Sequence, residues 1–197
     1  MLDKVLWQGS LLLARLGGVL LVATALLVSV EVVLRKLGIA AFSVGSELSS
    51  YALAISATWA FALVLMVRGH VRIDILTARL PAGPRAFVNV LAVASLAAVG
   101  VVLSYSAFGT FMRSFELGAI SNTTLATPLW VPQGLWLAGL LWFTLVAAYR
   151  TVVLVAALLR GDFATVERLA APASADDEAD SAVSEARERF AHEESRP

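Results

Sequence analysis

The chain contains no cysteine, and only two of its 197 residues are histidine. The first absence excludes disulfides, thiolate metal ligands and a cysteine nucleophile. The second leaves no histidine pair for a haem or a metal site: His70 stands in a basic stretch and His192 in an acidic one, 122 residues apart. No Gly-rich loop of the phosphate-cradling kind is present, so ATP hydrolysis is not expected, nor is any cofactor. Charge is scarce as well. Asp, Glu, Lys and Arg make up 15% of the chain and sum to a net charge of zero. Such a balance gives no reason to expect a nucleic-acid partner.

What fills the chain is long apolar runs. Hydrophobic residues make up 59%, and the mean hydropathy is +0.81. A soluble domain of this length needs far more polar surface. Crossing a bilayer core of ~30 Å takes about 20 helical residues, and four segments qualify, at roughly 13–34, 48–67, 86–108 and 131–149. In hydrocarbon each segment must satisfy its own backbone, so these are helices. The expected fold is an all-α integral membrane protein with four transmembrane helices. Residues 1–160 form the membrane domain, and 161–197 form an acidic tail without fixed structure. The first apolar segment is too long for a removable signal peptide, and no A-x-A-like site follows it.

The zero net charge hides a division. Residues 1–168 carry 12 Lys/Arg against 7 Asp/Glu, whereas 169–197 carry 3 Arg against 8 Asp/Glu. With four crossings both termini share a side. That side holds Lys4, Arg15, Arg68, Arg72, Arg79, Arg85, Arg150, Arg160 and Arg168, and the other holds Arg35, Lys36 and Arg113. The positive-inside rule therefore predicts an N-in, C-in orientation.

Several short stretches stand out against this background. In "VEVVLRKLG", Glu31 and Arg35 are four apart, share a helix face and can pair. The pair serves either as a boundary anchor or as a contact with a partner subunit. In "SELSSYALAISATWAF", Ser46 stands where an N-cap belongs, and Glu47 suits the positive end of the helix dipole. Ser49, Ala52, Ser56 and Ala60 follow on one face, small enough for another helix to approach closely, within this chain or from another. "MVRGHVRIDILTARLPAGP" follows the second helix. Read as a helix from Arg68, it puts Arg68, Arg72 and Arg79 on one stripe, with His70 and Asp74 four apart on another. This predicts a short interfacial helix, arginines toward lipid phosphate, ended by the prolines at 81 and 84. In "SNTTLATPLWVPQGLW", Pro128 and Pro132 flank Leu-Trp-Val, and Trp130 and Trp136 sit where an aromatic belt belongs.

Taken in order, these stretches resemble the small membrane subunit of tripartite ATP-independent periplasmic (TRAP) transporters, the DctQ-like family. "VEVVLRKLG" at 30–38 is similar to the end of that family's first helix, and "SELSSYALAISATWAFAL" at 46–63 to its acid-plus-aromatic second helix. "RGHVRIDILTARLP" at 68–81 resembles its H-[VI]-x-[VI]-D segment, and "SNTTLATPLWVPQGLW" at 121–136 its Ser…Leu-x-x-Pro-x-Trp segment. Where the family often has paired acids, this chain has Ser46-Glu47, so only Glu47 carries over. No family counterpart is assigned to the acidic tail.

The resemblance implies a bacterial inner-membrane protein, not an enzyme, with two protein partners. A large membrane subunit holds the solute and sodium sites and moves, and a periplasmic solute-binding protein delivers a small organic acid. The small subunit would scaffold the large one. The residues implied as partner interface or membrane anchor are Glu31, Arg35, Glu47, Ser49, Ser56, Arg68, His70, Arg72, Asp74, Pro128 and Trp130. Independently, Glu31 is the only acid within the expected spans and lies near an end, unlike the midplane polar groups of a carrier that works alone. A stand-alone oligomeric carrier or channel is the alternative, and a membrane enzyme acting through His70 and Asp74 is a third.

Overall fold

Each apolar run becomes a helix, and each helix outgrows its run, because the backbone keeps its hydrogen bonds past the point where side chains turn polar. A computed structural model describes residues 2–39, 44–69 and 80–170, together with Val183 and Arg187. The helices are α1 (Leu2–Lys36), α2 (Gly45–Met66), α3 (Ala82–Glu116), α4 (Trp130–Leu159) and a short α5 (Phe163–Ala170). The first four are long and apolar enough to cross a membrane. The 35 residues of α1 and of α3 extend about 52 Å, well beyond a ~30 Å core, so both helices tilt or project into the headgroups. Among the described residues the elements are all helices, joined by turns and loops, and one isolated bridge pairs Ile120 with Pro128.

α1 packs on α2, α2 on α4, and α4 on α3, giving the lateral order α1–α2–α4–α3 with α1 and α3 at the edges. The α1–α2 and α3–α4 connections lie at what we call the loop end. The α2–α3 connection, Leu2 and Ala170 lie at the opposite base. The main core sits toward the base, where Leu65, Val90, Val146 and Leu154 are buried. Phe61 meets Phe143 edge-on there, at 5.7 Å between ring centres. A smaller cluster around Ala107, Leu137 and Leu140 lies nearer the loop end.

α5 crosses the base against α3 and α4. Val166 and Ala170 are buried, and Arg85 bonds Glu167 across the crossing at 2.9 Å. Asp162 caps α5 by accepting the Thr165 backbone N–H at 3.0 Å, and hydrogen bonding from the Thr165 side chain and then its backbone holds the Asp162 carboxyl below the usual carboxylate range. The folded body therefore continues to Ala170 instead of stopping at 160. The eight-residue α5 is too short for an apolar run to reveal, and what fixes it is burial of Val166 and Ala170 against the bundle.

Hydroxyls within the spans return their protons to the carbonyl one turn back, as Thr24 does to Leu20, Thr144 to Leu140 and Thr151 to Ala147, each at 2.8 Å. These three donors are thereby satisfied without water. Close helix approach uses small residues. Ser56 donates to the Gly17 carbonyl at 2.8 Å, so Ala52 and Ser56 of the small-residue stripe are buried within this chain, whereas Ser49 is exposed and bonds the Ser46 carbonyl.

The four long helices stop in the same way. At each C-terminus a residue in the left-handed region turns the chain, and the next N–H reaches back five residues. That residue is Gly38, Gly118 and Gly161 after α1, α3 and α4, with φ of 73°, 57° and 72°. After α2 it is Arg68, with φ of 60°, and the Gly69 N–H reaches the Val64 carbonyl at 2.9 Å. Arg68 therefore belongs to the turn that ends α2, not to the arginine stripe of a following helix. His70, Arg72 and Asp74, and the interfacial helix expected to carry them, lie outside the described residues.

Candidate functional site at the loop end

Two carboxylates expected at the membrane boundary are both buried at the loop end, Glu31 at 8% exposure and Glu47 at 7%. Among the described residues neither is held by a cation. Glu31 does not turn toward Arg35, as their spacing suggested. Its Oε2 instead accepts the Gly45 N–H at 2.6 Å and the Val44 N–H at 3.3 Å. Val44 is the N-cap of α2 and has no side-chain acceptor of its own, so a residue of α1 caps α2. Ser46, expected as the cap, falls inside the first turn of the helix. The physical reason is competition. One buried and one half-buried backbone donor have no other acceptor among the described residues, whereas Arg35 can keep its charge in water.

Glu47 is held from two directions. The Tyr51 hydroxyl, one turn along α2, donates to its Oε1 at 2.7 Å. The Thr123 hydroxyl donates to its Oε2 from the α3–α4 connection, 76 residues away. Thr123 has one hydrogen, given to the carboxylate, so the neighbouring Ser121 hydroxyl at 2.7 Å must donate to Thr123. The connection is shaped for this contact. Ser121 N–H bonds the Thr127 carbonyl and Leu129 N–H the Ala119 carbonyl, both at 2.9 Å, on either side of the Ile120–Pro128 bridge. Ala126 takes a φ of 45° to close the turn.

Pro128 belongs to that bridge and is exposed. Trp130 opens α4 and packs edge-on against Phe115 at 5.9 Å, still 41% exposed. Pro132 is buried in the first turn, where a missing N–H costs nothing. Beside the Glu47–Tyr51 pair, a pocket of about 110 Å³ is lined by Tyr51, Ala54, Leu129, Pro132, Gln133 and Trp136.

The arrangement is a clasp. Glu31 ties α1 to the start of α2, and Glu47 ties the start of α2 to the connection before α4. Of the residues singled out in the sequence, the structure brings Glu31 and Glu47 to one end. Pro128 and Trp130 frame the connection that reaches Glu47, and Arg68 lies at the base. Tyr51, Ser121 and Thr123 were not anticipated. Tyr51 was visible in principle as a hydroxyl four residues after Glu47, whereas Thr123 needed the tertiary fold.

The clasp predicts a separable effect. Thr123→Val should leave the helices intact but free residues 119–129, raising amide hydrogen exchange at Ser121 and Leu129 severalfold while the centres of α2 and α4 stay protected. Unchanged exchange at both amides would show that Glu47 does not hold the connection.

Four apolar helices long enough to span, with apolar surfaces turned outward along α1 at Val19, Leu26 and Val30, define a multi-pass membrane protein. The family model of the tripartite ATP-independent periplasmic transporters, DctQ component, matches residues 24–157, and the chain belongs to that family. It is thus the small membrane subunit of a transporter, from a family of transport components and not of enzymes. No curated protein and no solved structure shows a significant match to the chain.

Proposed function

We propose that this chain is a static, non-catalytic scaffold. It packs on the large membrane subunit and enlarges the part that stays still in the bilayer while that subunit moves. The transporter it serves takes up a small organic acid, coupled to sodium and delivered by a periplasmic solute-binding protein. The chain sits N-in, C-in in the bacterial inner membrane, with the clasp facing the periplasm, as the nine-to-three division of basic residues favours.

One observation carries this reading: the family match runs from the middle of α1 to near the end of α4, across all four long helices. The use of the two buried carboxylates agrees with it. Glu31 and Glu47 are engaged in bonds that hold helices and a connection together, which suits a rigid part better than a moving one. Arg68 adds to it. The other three long helices place glycine in the left-handed turn, and an arginine there costs about 1 kcal/mol. An arginine kept at that cost is half-buried at the base, where it lines a small cavity with Arg150, Leu169 and Ala170, which suits a rigid part.

On this reading residues 68–79 anchor the subunit, with His70 and Asp74 fixing the corner. Asp74→Ala should lower the yield of assembled complex and solute uptake together, without abolishing membrane insertion of the chain. The measurement is uptake by cells expressing the complete transporter, beside complex yield from the same membranes. Wild-type values for both would remove this stretch from the anchor.

A further inference from the structure

The base of the bundle carries an open groove of about 270 Å³ between α1, α2 and α4, lined by Asp3, Lys4, Trp7, Gln8, Met66 and Arg150. Two of these are cations, and neither Lys4 nor Arg150 has an ion pair or hydrogen bond among the described residues. The one acid, Asp3, is met by the Tyr149 hydroxyl at a long 3.4 Å and leaves the groove with an excess of one positive charge. Arg150 is half-buried, so its guanidinium gives up part of its water without a protein partner in return.

The depth of the groove says what can reach it. From Trp130 to Arg150 along α4 is about 30 Å, and from Gly45 to Met66 along α2 about 32 Å. These lengths equal the thickness of the hydrocarbon core, so with the loop end at one membrane surface the groove lies at headgroup level of the other. Trp7 is 40% exposed, in the position of an interfacial aromatic. Charge for a phosphate, an indole and thioether wall for glycerol and methylenes, and acceptors at the rim meet at one level.

We propose that this groove binds the phosphodiester headgroup of a membrane phospholipid. Lys4 and Arg150 hold the phosphate oxygens, Arg150 with the two-pronged geometry a guanidinium offers. Trp7 and Met66 cover the glycerol and the first acyl methylenes. Asp3 and Gln8 accept from the hydroxyl or ammonium beyond the phosphate. A bound lipid would then add to the α1–α4 contact that the Trp142 indole N–H makes with the Ser10 hydroxyl at 3.1 Å. The inference rests only on the membrane placement and is independent of which solute or large subunit the transporter uses.

The test is native mass spectrometry of the full chain, purified in mild detergent and supplied with phosphatidylglycerol. The wild type should retain one lipid. Lys4→Gln and Arg150→Gln should each lower retention roughly fivefold, the worth of one charge at an anionic headgroup. Lys36→Gln, at the other end of α1, should leave it unchanged. Lys4 is exposed in the first turn, so Lys4→Glu, expected to lose the lipid, and Lys4→Arg, expected to keep it, answer the question should Arg150 variants not fold. Equal retention in Lys4→Glu and wild type would overturn the proposal. Displacement by excess inorganic phosphate would also overturn it, since the groove would then read phosphate and not a lipid. A chain ending at Ala170 that gains lipid severalfold would show that the acidic segment 171–197 occupies the groove, a third result against the proposal.

Discussion

Replacing Glu31 with alanine should lower the stability of the chain by about 2–3 kcal/mol, the usual worth of hydrogen bonds to a buried charged acceptor. The loss arises because the buried Gly45 N–H and the half-buried Val44 N–H lose the acceptor they have among the described residues. Neither Val44 nor Gly45 carries a polar side chain that could move in as a replacement cap. Glu31→Gln keeps an acceptor oxygen and should cost about half as much. Arg35→Ala should cost under about 0.5 kcal/mol, as for a surface residue without a buried partner. Reversible unfolding of the three variants in mixed micelles measures the differences. Equal losses for Glu31→Ala and Arg35→Ala would restore the ion-pair reading and remove Glu31 as the cap of α2.

Gly139→Leu should be more damaging and should prevent α2 and α4 from packing. A Cβ at position 139 would already lie 2.6 Å from both Thr58 Oγ1 and Trp59 Cδ1, and 2.9 Å from Thr58 Cβ. Neither neighbour can yield cheaply. The Thr58 hydroxyl is bonded to the Ala54 and Ile55 carbonyls at 3.0 and 2.9 Å, and the Trp59 indole N–H donates to the Leu135 carbonyl at 2.9 Å. Gly139→Ala should therefore cost about 1–3 kcal/mol, in the range of an overpacked core, and the leucine more. Gly18 supplies the control, because a Cβ there meets nothing within 4 Å. Gly18→Ala should leave the stability of the isolated chain unchanged or slightly higher, since alanine is the better helix former. A tolerated Gly139→Leu would mean that α2 and α4 do not meet as closely as described.

These two residues mark the boundary of what the sequence discloses. The four membrane helices were legible because lipid gives the backbone few choices, and an apolar run of twenty residues has one good solution in it. Helix ends were legible only where polarity and helix end coincide, as near Lys36 and Met66; the helices before Gly118 and Gly161 run eight and ten residues past the apolar spans expected to end at 108 and 149. The lateral order α1–α2–α4–α3 was not legible. Helices apolar on every side show no single buried stripe, so nothing in the pattern says that α2 lies next to α4 instead of α3.

The clasp was half legible. Helix geometry placed Glu31 near Arg35 and Glu47 at a positive helix end, since both follow from local spacing. Their actual partners are Gly45, fourteen residues away, and Thr123, seventy-six away, and such pairings are decided only when helices have packed. The family was legible from four short stretches in the right order, although no single one of them is diagnostic.

The central claim is that this chain works as a bound part of a larger transporter and not alone. The most direct measurement is to tag the chain, express it with its neighbouring genes, extract the membranes gently and weigh the purified assembly. The scaffold account predicts one copy of this chain with one large membrane subunit of roughly a dozen spans, and uptake that disappears when this chain is omitted. A chain that purifies as a stable oligomer of itself and transports solute in liposomes without any other subunit would contradict it.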